Sequence, residues 1–397
     1  MLIFTEYPEK NELQYYENIG SLTKKQMEYL YGDPQKGAAK RDTHAKTHAG
    51  VKATLEIFDF DEAAIKQILA EKTVLTETKI NAISLKQGLL ATPKQYPVWL
   101  RFANGRADIK NDYEPDARSM SVKIIGVEGE RLTESHESNT QDIITQNAEI
   151  FFIKTIQDYQ SFFTAAMRSR MSALFKLAPL VWLFLHPKQF SALKTVTKRF
   201  PNSLLTERYW SGSAYALGLQ PDFEPSQMGQ KSQSYPAVIK YGFTPVLPEK
   251  PNQIIPENSR SQQDIEQVKA QSTEDNYYRN QLIEALAKTD AEYCWDFQIQ
   301  LQTLPEMSID DVTITWNESE SPFLTVGRLT VKHQKIDSPQ QDEFAENLRF
   351  SPWNGLAVHR PVGALNRLRQ MIYPIVAKYR HQKRNVNYYE PTGDETF

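Results

Sequence analysis

The stretch YCWDFQIQLQTL, Tyr293 to Leu304, alternates cleanly, with Trp295, Phe297, Ile299 and Leu301 on one face and Asp296, Gln298, Gln300 and Gln302 on the other. Successive side chains of a strand point to opposite faces of its sheet, so a period of two specifies a half-buried strand of an antiparallel sheet. DDVTITW (Asp310 to Trp316) and PFLTVGRLTVKH (Pro322 to His333) continue in the same style downstream, and PAVIKYGFTPV (Pro236 to Val246) precedes it. Further upstream, the run Val51 to Phe58, YPVWLRFANG (Tyr96 to Gly105) and DARSMSVKIIG (Asp116 to Gly126) also read as strands. That makes about seven or eight strands, few of them separated by helices in the βαβ manner. The expected class is α+β, an antiparallel β-barrel with helices appended at the C-terminal end.

The remaining segments divide the chain. Residues 1–40 are polar and partly helical, an N-terminal arm. The main domain spans 41–384, with a barrel core over about 41–335, helices near Glu62 to Ala70 and Asn276 to Lys288, and a tail at 385–397. A Pro-, Asn- and Gln-rich linker covers 247–272, and a helical insertion covers 164–200. Within that insertion the apolar run Leu177 to Leu185 lies between Arg168, Arg170 and Lys176 on one side and Lys188, Lys194 and Lys198 on the other. It falls short of the roughly 20 residues that span a bilayer. A basic-flanked apolar helix suits weak membrane-interface contact, or packing over a pocket or across a dimer contact.

Composition narrows the function classes. The chain has 397 residues, 40% of them hydrophobic and 11% aromatic, enough for a large core in one or two domains. A net charge of -3 and a pI near 6.2 provide no global basic field, so nucleic acid is not the expected partner. The single cysteine, Cys294, excludes an internal disulfide framework and any multi-cysteine metal site. MLIFTEYPEKNEL lacks a basic region followed by an apolar one, and a cytoplasmic location is expected. No Gly-rich phosphate loop is present. His44 and His48 are four apart, but Ala45 stands where a metalloprotease glutamate would be, so no zinc pair is expected there.

Near the C-terminus RLRQMIYPIVAKYR, Arg367 to Arg380, places Arg369, Tyr373 and Arg380 close to one helical stripe, within a helix expected over 361–381. A phenol between two guanidinium groups is expected to ionise below its usual value near ~10. A tyrosinate held in this way is a hard anionic ligand for ferric iron. By itself this stripe is the pattern of an ordinary amphipathic helix with a basic solvated face, and only the rest of the chain overturns that reading.

Several segments in order along the chain resemble the haem catalase family and its short, catalase-like relatives. RDTHAK (Arg41 to Lys46) resembles the segment carrying the distal histidine. LRFANG and DARSMSVKI resemble two strands of the family, and QNAEIFFIKTIQDYQSFF its NNTPIFFIRD segment. DDVTITW with PFLTVGRLTV, then FSPWNGL, and finally RLRQMIYPIVAKYR with its tyrosine complete the series. The resemblance covers about Arg41 to Arg384, with interruptions. It implies an eight-stranded barrel of catalase type, haem b with its iron as cofactor, and a peroxide-metabolising oxidoreductase.

The resemblance also implies roles. Tyr373 would be the axial ligand of the iron, with Arg369 keeping it ionised. His44 would be the distal acid-base residue, with His48 as a competitor because the HAKTHAG loop carries an extra residue. Arg41, Arg101 and Arg380 would pair with haem propionates, and Phe151, Phe152 and Tyr159 would be pocket aromatics. Departures lie on the distal side. Gln146, with Asn147 beside it, stands where the family has a peroxide-positioning asparagine, and Ala103 replaces a serine that supports the histidine. Thr43 is similar to the allene oxide synthase branch, which rearranges fatty-acid hydroperoxides. The expected substrate is therefore a small-molecule peroxide or a lipid hydroperoxide. The competing functions are a hydroperoxide isomerase or lyase, and a haem carrier or sensor without turnover. A homo-oligomer is expected.

Overall fold

The computed structural model describes residues 2–219, 232–256, 266 and 275–397. After a short strand β1 (Thr5–Glu6) and the long helix α1 (Glu12–Tyr31), the barrel begins with β2 (Thr47–Ile57). Helices α2 (Glu62–Lys72) and α3 (Glu77–Ala82) lead to β3 (Lys94–Asn104), β4 (Arg118–Ile125) and β5 (Thr140–Gln146). Three helices follow, α4 (Ile156–Met171), α5 (Ala178–Leu185) and α6 (Pro187–Thr197), then the short strands β6 (Tyr209–Trp210), β7 (Ala214–Ala216) and β8 (Gln233–Ser234). The chain continues through β9 (Val238–Leu247), β10 (Lys250–Ile254), α7 (Tyr277–Leu286), β11 (Glu292–Leu301) and β12 (Phe323–Lys332). It ends with α8 (Pro339–Asn347), β13 (Pro361–Val362) and α9 (Ala364–Arg384).

Eight of these strands close a barrel in the order β11, β12, β2, β3, β4, β5, β6 and β9, with β9 pairing back on β11. Every neighbouring pair is antiparallel. The narrowest point of closure is β6, where Gln146 pairs with Trp210 and Tyr209 with Phe243. Trp295, Phe297, Ile299 and Leu301 of β11 are buried in the barrel core with Phe243, Leu100, Val122 and Ile143. Closing the sheet leaves no edge open along these eight strands.

Three sequence expectations are corrected. The polar face of β11 is also covered, since Gln298, Gln300 and Gln302 are buried. Their amides serve as hydrogen-bond partners, Gln298 within the barrel wall and Gln300 and Gln302 for the segment folded over them. Gln298 accepts from Thr244 Oγ1 at 2.7 Å, Gln300 donates to the carbonyls of Trp316 and Ser321 at 2.9 Å, and Gln302 donates to that of Met307 at 2.7 Å. Buried amides with partners avoid the cost of desolvation. DDVTITW is not a strand but a turn, because Asp311 Oδ1 accepts from both the backbone N–H (3.0 Å) and the hydroxyl (2.6 Å) of Thr313. Within the expected 247–272 linker, Leu247 ends β9 and β10 folds back on it, while 257–265 and 267–272 lie outside the described residues.

Two charged junctions fix the helices to the barrel. At the first, Arg367 of α9 is 2% exposed and joins Glu12 (2.8 and 2.9 Å), Asp310 (3.0 Å) and Glu6. Glu6 also accepts from the Gly363 N–H at 2.7 Å. Gly363 enters α9 at φ +90, and a Cβ there would collide with the Ile309 carbonyl, so only glycine suits this turn. At the second junction, Glu346 of α8 pairs with Arg41 at 3.1 Å, accepts from Thr47 Oγ1 at 2.8 Å, and offers its backbone carbonyl to Arg380 of α9. This ties the 40–46 loop, α8 and α9 together.

Both junctions are testable. Arg367→Met strands two buried carboxylates, Glu6 and Glu12, and should cost about 3–5 kcal/mol in denaturant unfolding; an unchanged midpoint would contradict the structural role. For Glu346, burial raises the carboxyl, but Arg41, Arg101, Lys40 and Arg380 overcome it and bring it from 4.5 down to about 2. The folded value is depressed, so this contribution is fully present above the unfolded value and lost as pH falls through about 2. Unfolding free energy measured between those limits should drop on the order of 3 kcal/mol less in Glu346→Gln than in the parent.

Candidate active site

Where α9, the 41–44 loop, the barrel wall and α4 meet, they enclose a cavity of about 490 Å³, within the range of cofactor sites. Arg41, Asp42, Thr43 and His44 line it from the loop, Arg101 from β3, and Ser119 and Ser121 from β4. Ile144 and Gln146 line it from β5, and Phe151, Phe152, Tyr159, Phe162 and Phe163 from α4 and the segment before it. Arg369, Ile372, Tyr373 and Arg380 line it from α9. Eleven of the twelve residues selected in the sequence thus lie on one cavity.

Asn147 is the exception. It is fully buried, its Oδ1 accepts from the Arg118 N–H at 2.8 Å, and its amide reaches Glu207 at 3.5 Å. Gln146 and Asn147 are adjacent at the end of a strand and point to opposite sides, so only Gln146 reaches the cavity. Its Nε2 donates to the Ile150 carbonyl at 2.7 Å.

The two histidines separate in the same way. His44 lines the cavity. Its backbone has φ +53, an uncommon left-handed conformation for a non-glycine residue and one that clusters at functional sites. The loop holds it by its N–H bond to the Gly105 carbonyl at 3.0 Å, and its own carbonyl accepts from Arg101 at 2.7 Å. His44 Nδ1 is buried without a hydrogen-bond partner, and neighbouring strand residue Ala103 brings no hydroxyl. Burial, then Arg101, Arg369 and Arg41, push His44 down to about 3, so its imidazole is neutral at neutral pH. His48 sits instead at a bulge in the β2–β3 pairing, between Thr47 and Ala49. Its Nε2 bonds Asn104 Oδ1 at 2.8 Å, its ring packs edge-on against Tyr278, and it does not line the cavity.

Tyr373 is partly buried and faces the cavity, four residues after Arg369 on α9. Arg369 donates to Ser213 Oγ at 3.1 Å and Asn366 Oδ1 at 3.3 Å. The expectation of a lowered phenol pKa is corrected. Burial pushes Tyr373 above its ordinary 10.0 and outweighs the opposing pull of Arg369 and Arg41. In the protein alone the phenol keeps its proton, and a metal cation at the oxygen is what would displace it.

The donor set suits haem. Arg41, Arg101 and Arg380 crowd one wall, and Glu346 is the carboxylate that Arg41 pairs with. Arg41 and Arg380 otherwise donate to the Leu348 carbonyl, at 2.7 and 3.0 Å, and Arg101 to Thr47 Oγ1 at 2.6 Å. Arg101 Nε and Arg380 Nε are buried with no partner. Burial and the neighbouring Arg41 lower Arg101 to about 9, still charged at neutral pH. Such a wall invites two anionic groups. The aromatic lining beyond it, with Phe151 stacked on Tyr159 at 6.5 Å, suits a flat apolar ring system.

Sequence reasoning missed Arg349, Asp42 and Glu346. Arg349 lines the cavity with its Nε buried and unpartnered. Its position just before FSPWNGL was the one available signal. Elsewhere, His136, Glu137 and Asp142 approach one another as a metal cluster would. There the Lys123 ammonium already bonds both Glu137 and Asp142, so the charge is compensated.

No family model matches the chain, and no curated protein matches it. Solved structures do. A fungal catalase superposes with a TM-score of 0.58 at 17% identity, over 87% of this chain and 60% of that one. A bacterial catalase gives 0.52 at 14%, over 94% and 60%. Catalase A from Saccharomyces cerevisiae gives 0.56 at 16%, over 91% and 67%. The chain therefore spans about 60% of the length of the first two. At these identities the likeness is one of architecture: the protein has a catalase-like fold, α+β, built on a closed eight-stranded antiparallel barrel.

Proposed function

We propose that the cavity binds haem b, whose iron Tyr373 would hold, and that the protein is a haem-dependent oxidoreductase acting on hydrogen peroxide or organic hydroperoxides. The observation that carries this reading is the convergence, on one cavity, of a phenol with its arginine, a neutral histidine in a left-handed backbone, and three guanidinium groups. Arg41, Arg101 and Arg380 would hold the two propionates, which bidentate guanidinium suits. Arg369, on the same helical face as Tyr373, would favour the phenolate, and Phe151, Phe152 and Tyr159 would pack on the ring. When bound, the haem would supply peroxide activation and the redox equivalents of turnover.

The chain's own contribution is proton handling and positioning. The His44 imidazole, neutral and buried, would take the hydroperoxide proton and return it to the departing oxygen, a general acid-base role typically worth 10²- to 10⁴-fold. Arg101 holds the His44 carbonyl, which fixes the backbone from which the ring projects into the cavity. Gln146 reaches the same space and would orient the peroxide, with the amide N–H already tied to Ile150.

A second reading is favoured by Thr43 and by the apolar part of the cavity lining, where Phe162, Leu193 and Val196 would suit an acyl chain. In that reading the protein isomerises or cleaves a fatty-acid hydroperoxide. Titration of the haem-loaded protein distinguishes the two. Oxygen release from hydrogen peroxide, or oxidation of an added donor, supports the first; loss of a fatty-acid hydroperoxide without any reductant supports the second.

Tyr373→Phe should abolish tight haem loading or shift the ferric absorption spectrum away from a tyrosinate type, and an unchanged spectrum sinks the ligand assignment. His44→Ala should still load haem while peroxide reactivity falls about 10²- to 10⁴-fold. If His48→Ala produces that loss and His44→Ala does not, the distal residue is misassigned.

A further inference from the structure

The 159–206 segment is rich in exposed basic charge. Between Asp158 and Glu207 there is no acidic residue and there are seven basic ones, in a protein of net charge -3. Five of these, Arg168, Lys176, Lys188, Lys194 and Lys198, are exposed. Among the described residues no carboxylate forms an ion pair with any of them. Lys194 instead lies 4.3 Å over the ring of Phe190.

The same segment carries a concentration of exposed apolar side chains. Phe184 is 83% exposed and Leu174 85%, with Leu177, Leu180, Val181 and Leu185 each more than half exposed. They occupy α5 and the turn before it. Isolated exposed apolar residues are ordinary, but a set contiguous along one short helix marks an interaction surface. The opposite face of α5 is anchored firmly. Trp182 and Leu183 are buried against Phe151, Phe152, Tyr159 and Phe162, and Trp182 Nε1 donates to Ser161 Oγ at 2.8 Å. The helix is thus held with its apolar outer face presented to the surroundings.

We propose that α4, α5 and α6 form a docking surface for an anionic phospholipid bilayer. Leu180, Val181, Phe184 and Leu185 insert to headgroup depth while the surrounding lysines and Arg168 meet lipid phosphates. An apolar helical face ringed by cations is the arrangement that binds such surfaces, and the electrostatic part of the attraction is screened by salt. Charge complementarity selects this occupant over a second copy of the chain, since two such faces would bring like charges together. The surface lies one layer of side chains from the cavity. Phe162 and Leu193 line the cavity and belong to the same cluster as Trp182 and Leu183. A docked molecule therefore presents its cavity toward acyl chains. Docking itself does not depend on the haem reading.

The test is flotation of the full-length protein with vesicles of phosphatidylcholine alone or mixed with phosphatidylglycerol, before and after haem addition, with molar mass from light scattering. The expected result is binding to the anionic vesicles only, weakened by salt. Lys188→Glu with Lys194→Glu should reduce the partition coefficient about tenfold or more, and Phe184→Ser with Leu185→Ser should reduce it similarly, both with unchanged circular dichroism. Equal or absent binding to the two vesicle types overturns the proposal. So does a serine variant that still floats but changes oligomeric mass, which would assign the face to contact with a second copy. Protein that floats yet binds no haem would leave this inference standing and remove the proposed function.

Discussion

Three guanidinium groups meet on one wall of the cavity, those of Arg101 and Arg380 buried and that of Arg41 half-buried, with Glu346 as the carboxylate that pairs with Arg41. Like charges taken out of water are costly unless opposite charge or hydrogen bonds compensate them. Much of the local architecture can be understood as that compensation. The end of α8 turns its Glu346 and Leu348 carbonyls toward Arg41 and Arg380, and the β2 bulge brings Thr47 to Arg101. His44 is held in a strained backbone with its carbonyl on the same arginine. What remains uncompensated, two buried Nε atoms, is where a dianionic ligand would be most strongly favoured.

The two sides of the cavity are built differently. On the α9 side, Arg369 and Tyr373 follow each other by one helical turn, anchored below by the Arg367 junction with Glu6 and Glu12. That side is tied to the N-terminal segment and the barrel by a buried ion-pair junction. The His44 side rests on a short loop, with an unpartnered Nδ1, an alanine at position 103 and a glutamine at 146. Under the proposed function, a histidine whose Nδ1 lacks a hydrogen-bond partner and a glutamine amide on the same cavity would support organic hydroperoxides as substrates beside hydrogen peroxide.

Much of the fold was legible because strand alternation survives in the sequence wherever one side of a strand faces the core. β11 shows it, and so do β2, β3 and β12. The polar face of β11 misled, since its glutamines look solvated, and the segments that cover them come from Trp316, Ser321 and Met307, on a loop whose path alternation does not report. DDVTITW misled through β-propensity that a local Asp311 bond to Thr313 overrides. Within the site, spacing along α9 located Arg369, Tyr373 and Arg380, but spacing is silent on the desolvation that raises the phenol. It is equally silent on which of two adjacent residues, Gln146 or Asn147, turns inward. Glu346 left no signal, because an acidic residue near a helix end is usually solvated.

The central claim is that a buried arginine wall selects a flat ligand with two carboxylates. Its most direct test is absorption titration of the purified protein with ferric protoporphyrin IX and, in parallel, with its dimethyl ester, which has the same ring and iron without the two charges. Tight binding of the free acid at one per chain, with the ester bound far more weakly, is the predicted result. Equal affinity for the two, or no binding of either, would contradict it.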